Sequence, residues 1–77
     1  MDYDSTLSEA RKAIDGLSDN TVFEVKDLFE GTKWNKYPKG ERIGFGRYFS
    51  NKVRNGCIEG IVRLERGKDN HTRYQKI

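Results

Sequence analysis

Seventy-seven residues make one small domain, near the lower limit at which a single hydrophobic core holds without staples. One cysteine, Cys57, excludes an intrachain disulfide and a cysteine-based zinc site, and it suits a reduced cytoplasmic compartment. The formal charge is +3, no apolar run approaches the roughly twenty residues of a membrane span, and the acidic start MDYDSTLSEA is unlike a signal peptide, so a soluble, unexported protein is expected.

From Ser5 to Leu17, the residues Leu7, Ala10, Ala13/Ile14 and Leu17 recur at helical spacing, and Thr6 with Glu9 fits a capping box. A first helix is expected there. Ser18, Asp19 and Asn20 are turn formers, and Thr21 to Val25 is short and β-rich, which predicts a strand with Phe23 or Val25 facing inward. Lys26 to Glu30 reads as a brief second helix, with Asp27 as its cap, Leu28 and Phe29 turned to the core, and Gly31 as its end. Thr32 to Tyr37, TKWNKY, then links this helix to the next. Trp34 and Tyr37 are too large to be left in water in so small a domain, so aromatic packing pins the link.

Pro38 to Gly56, PKGERIGFGRYFSNKVRNG, carries the punctuation of one helix over residues 38–55: proline suits a first turn, and glycine closes a last one. Ile43, Gly46, Phe49 and Val53 recur every three or four residues and predict a narrow buried face, with Gly46 admitting a neighbouring backbone or ring. Arg47, Ser50, Asn51 and Arg54 form a second face with four hydrogen-bonding side chains and no acid. Guanidinium groups suit guanine edges or phosphates, and an asparagine amide suits adenine, so this face has the chemistry of major-groove reading.

Cys57 to Glu65 has the β-branched content of a strand with a bend at Gly60, Arg66 to Asn70 has turn chemistry, and His71 to Ile77 returns as a strand with Tyr74 packed. The order is helix, strand, helix, turn, helix, strand, loop, strand. That is an α+β fold of the winged helix-turn-helix kind, three helices and a small antiparallel sheet to which the N-terminal strand adds. Residues 1–77 form a single domain, with no repeat or linker.

The charge is divided unequally along the chain. Residues 1–31 hold eight acids against three basic residues, a net of −5, whereas residues 32–77 hold twelve Lys/Arg against four acids, a net of +8. The basic segment is an electrostatic footprint for a polyanion. The leading expectation is a non-enzymatic module for double-stranded DNA, with Arg47, Ser50, Asn51 and Arg54 at base edges or phosphates. Arg47 and Asn51 are favoured for the bases because the N-terminal half of a recognition helix penetrates deepest. Lys33, Lys36 and Lys39 would grip backbone at the helix entry, and Arg66, Lys68 and His71 would touch phosphate from the wing. A domain this small reads few base pairs, so a homodimer would sharpen specificity.

Phe23-Glu24-Val25-Lys26-Asp27-Leu28-Phe29, then Trp34-Asn35, then Pro38-Lys39-Gly40-Glu41-Arg42 with Gly46 and Phe49, resemble a family of small bacterial and phage proteins with no assigned activity. The tail Gly67-Lys68-Asp69-Asn70-His71 with Tyr74 is similar to the end of small phage-borne winged-helix proteins. The resemblance implies a winged-helix-like fold and a bacterial or phage-infected cytoplasm, and names no catalytic residue. The acidic residues Asp2, Asp4, Asp15, Asp19, Asp27 and Glu30 support the alternative function, a phage-type protein-interaction module or inhibitor that meets a basic host nucleic-acid-processing protein. An enzyme is not expected. His71 is the only histidine, no paired carboxylates, triad, phosphate loop or metal-ligand spacing surrounds it, and Gly44-Phe45-Gly46 lacks the context of a dinucleotide fingerprint. Cys57 reads as a small buried hydrophobe, and no cofactor or metal is expected.

Overall fold

The computed structural model describes residues 1–66 and 71–77. Helix α1, Tyr3–Asp15, opens at Asp2, whose carboxylate accepts the N–H groups of Asp4 and Ser5. A carboxylate there satisfies free donors and faces the positive end of the helix dipole. It therefore captures the start ahead of the expected Thr6/Glu9 capping box: the Thr6 hydroxyl donates instead to the Asp2 carbonyl from inside the helix. Leu7, Ala10 and Ile14 are buried as their spacing predicts.

The strand expected over Thr21 to Val25 shortens to β1, Val22–Phe23, because Glu24 and Asp27 cap each other's backbone and turn the chain into a 3-10 helix at Val25–Leu28. A second correction follows. Gly31 does not end a helix but opens one, α2, Gly31–Asn35, so most of the expected link is helical. Burying Trp34 decides this: one helical turn stacks its indole on Phe29 at 5.1 Å and sets it edge-on to Phe45 at 6.3 Å.

Helix α3, Lys39–Arg54, has Pro38 at its N-cap, and the left-handed Gly56 (φ +74°) follows its end. Its buried face is not the one that spacing suggested. Phe49 is buried and Val53 half-buried, but Ile43 is 48% exposed and a Cβ at Gly46 would meet no neighbour. Phe45 takes the inward position, packed against the rings of Tyr3, Phe29, Trp34, Tyr48 and Phe49 at centroid distances of 5.9–6.3 Å. A phenyl ring buries more apolar area than an isoleucine, and here five aromatic partners receive it. The glycine that admits a ring is Gly44, where a Cβ would collide with the Tyr3 hydroxyl.

Strands β2, Ile61–Arg63, and β3, Tyr74–Lys76, pair antiparallel, and β1 joins the far side of β3, giving the order β1-β3-β2. Phe23, Tyr74 and Arg63 lie in one row across the sheet, and Val22, Gln75 and Val62 in the next. Both C-terminal strands are shorter than the sequence suggested: Gly60 turns left-handed (φ +83°) just before β2, and single backbone bonds from Ile77 to Gly60 and from Leu64 to Arg73 flank the paired residues. Cys57 precedes that bend and is exposed rather than buried. Among the described residues the product is an α+β domain of three α-helices and a three-stranded antiparallel sheet around one core. Among the described residues no helix is long and apolar enough to cross a membrane.

Candidate nucleic-acid interface

The exposed side of α3 follows directly from what its other side buries. With Phe45 and Phe49 turned inward, Ile43, Arg47, Asn51 and Arg54 form an exposed line along the helix, flanked by half-exposed Gly46 and Ser50. This line borders a groove of about 880 Å³. Lys26 and Glu24 of the 3-10 helix and Trp34 and Asn35 of α2 stand on one side. Arg63, Arg66, His71, Thr72 and Tyr74, from β2, β3 and the residues between them, stand on the other, with Lys39 and Arg42 at the start of α3.

Seven of the lining residues are Lys or Arg, and Glu24 is the one carboxylate among the described residues there. Glu24 is itself engaged by His71, whose Nδ1 lies 2.6 Å from its Oε1. No residue of α1 lines the groove. Several of the N-terminal acids are occupied elsewhere: Asp4 accepts the Tyr48 hydroxyl at 2.6 Å, Glu9 holds Lys33, and Asp2 and Asp27 cap helices. The groove is thus strongly cationic, although Glu24 and Lys26 of the acidic half line it and Lys33 of the basic half does not.

Of the residues singled out from the sequence, Arg47, Ser50, Asn51, Arg54, Lys39, Arg66 and His71 converge on the groove. Lys33 does not. Its ammonium is 2.7 Å from Glu9, a hydrogen bond that raises its pKa, and it is outside the lining together with Lys36. Lys68 lies outside the described residues. The structure adds Lys26, Asn35, Arg42 and Arg63. Arg63 carried a usable signal, since alternation in a strand opposite Tyr74 places it on the same sheet face. Arg42 carried less, because only the packing of α2 against α3 shows which side it takes. Its Nε is buried without a hydrogen-bond partner, a costly state for a charged group.

Tyr74 closes the floor of the groove, 1% exposed and partnered by the Ser50 side chain. Desolvation raises its pKa above 10.0, while that hydrogen bond and the charges of Arg63 and Arg66 pull it back. The folded state thus holds the phenol proton more tightly than the unfolded chain does. This stabilisation is complete below pH 10 and is lost as pH rises through the folded pKa. Chemical denaturation between pH 9 and 11 is expected to show stability falling at the alkaline end, with a shallower fall in Tyr74→Phe.

Gly46 gives a second measurable consequence. It interrupts α3 with the poorest helix former besides proline, yet an added methyl there would meet nothing. Gly46→Ala is therefore expected to stabilise the domain by about 0.5–1 kcal/mol in denaturant titration. Gly44→Ala, blocked by Tyr3, is expected to show no such gain.

A family model described as Domain of unknown function (DUF1413) matches residues 8–76, and the chain belongs to that family. No curated protein and no solved structure matches the chain significantly.

Proposed function

We propose that this DUF1413 member is a small DNA-binding module of the winged helix-turn-helix type, acting without catalysis in the cytoplasm of bacterial or phage-infected cells. The observation that carries the reading is the exposed Arg47, Asn51 and Arg54 line of α3, set in a groove with seven cationic side chains and one already engaged carboxylate. The 3-10 helix with α2 stands in for the first helix of the pair, and α3 is the recognition helix. Lys39, Arg42, Arg63 and Arg66 hold phosphates on either side.

Duplex fits better than single strand. Proteins that hold unstacked bases offer exposed aromatic faces, whereas the rings lining this groove, Trp34 and Tyr74, are 9% and 1% exposed. The acidic side supports the protein-interaction alternative less well, since Asp2, Asp4 and Asp27 already serve local hydrogen bonds. A second copy of the chain would extend the few base pairs that one α3 can read.

Fluorescence anisotropy of labelled duplex and single-stranded DNA, at 50 and 200 mM salt, tests the reading. Micromolar or tighter duplex binding is expected, weaker binding to single strands, and a loss of about 100-fold on raising the salt if four phosphates are neutralised. No duplex binding at the lower salt would remove the proposal.

A further inference from the structure

We infer that Ile43 and Gly46 make α3 a reader of thymine methyl groups, an inference that rests on the duplex-binding reading above and names a base class for it. Ile43 is 48% exposed on a helix whose Phe45 and Phe49 are fully buried and whose Tyr48 and Val53 pack half-buried against the core. A single exposed apolar residue on a protein surface needs no explanation. Ile43, however, sits within the cationic groove, on the same line as Arg47 and Asn51, at the place where charge is otherwise concentrated.

Gly46 supplies the second, independent observation. It lies one turn from Ile43 on the groove side, its missing side chain faces open space, and no packing neighbour requires a glycine there. Together the two residues form a low apolar facet bordered by cations, onto which a flat partner edge can close. The major groove offers one apolar feature of that kind, the C5-methyl of thymine. Asn51 lies eight residues beyond Ile43, about 12 Å along the helix, and its amide has the donor and acceptor that the adenine edge presents. That distance spans about three to four base-pair steps of 3.4 Å. The geometry therefore calls for A·T pairs at both positions, with a methyl read by Ile43 and an adenine edge by Asn51.

The test uses an alternating A·T duplex and its counterpart in which deoxyuridine replaces thymidine, so that only the methyl groups differ. Each is titrated against wild type, Ile43→Ala and Gly46→Val. Wild type is expected to bind the methylated duplex about fourfold more tightly, the value of one buried methyl. Ile43→Ala is expected to bind the two duplexes equally, and Gly46→Val, whose side chain stands in the facet, to lose the preference as well. Circular dichroism checks that both variants remain folded. Equal binding of the two duplexes by wild type overturns the inference and leaves the duplex-binding reading standing, as does a preference that survives in Ile43→Ala. Absence of binding to either duplex at low salt overturns both.

Discussion

Exchanging Arg47 and Arg54 together for glutamate is expected to abolish duplex binding, with a loss of more than about 100-fold at 150 mM salt, while the fold survives. Both side chains are exposed on the line that α3 presents to the groove, so neither exchange disturbs the core. Each guanidinium that reaches a base edge or phosphate contributes about 1–3 kcal/mol, so losing two removes a factor of about 30 at the least. The two new carboxylates then repel the phosphates they meet. The control is Lys12→Glu/Lys36→Glu, which makes the same change in net charge at exposed positions outside the groove. It should cost only the share due to overall charge, less than about tenfold at 150 mM salt, where the screening length is about 8 Å. Equal losses in the two double variants would mean that DNA sees the charge of the chain and not this face.

Phe45→Ala is expected to have the largest effect on stability. The ring is fully buried and has five aromatic neighbours drawn from α1, α2, α3 and Phe29, so its removal opens a cavity where the helices meet. Such a truncation costs about 3–5 kcal/mol, and a domain of this length has about 4–12 kcal/mol in all. Thermal unfolding followed by circular dichroism should show the midpoint falling by more than about 12 °C, or no folded baseline at room temperature. Ile43→Ala, two residues away and half in water, should cost less than about 1 kcal/mol. The opposite ranking would contradict the inward placement of Phe45.

That contrast also shows where the sequence was legible and where it was not. The first and third helices, the order of the strands along the chain, and the burial of Phe23, Trp34 and Tyr74 follow from local signals, because each rests on residue type and short-range spacing, whereas the joining of β1 to β3 was expected only from the fold type as a whole. The inward face of α3 does not. Ile43-Gly46-Phe49-Val53 and the line through Phe45 and Phe49 are both helical repeats, and only the ring cluster from three other elements decides between them. Gly31 was ambiguous for a similar reason: a glycine can follow a helix, as Gly16 does at negative φ and Gly56 at positive φ, or open one, and only the burial of Trp34 decides for Gly31. At the candidate site, the α3 residues were legible from one stretch of chain. Arg42 and Arg63 join them only through packing and strand pairing, and Lys33 leaves them because Glu9 of α1 comes within reach.

The most direct test of the account is an NMR titration of the labelled protein with an unlabelled duplex, following every backbone amide. Binding through the groove should move the amides of Ile43 to Arg54, with those of Arg63, Arg66 and Thr72, and leave α1 nearly still. Perturbations confined to α1 and its acids, or none at millimolar duplex in low salt, would contradict it.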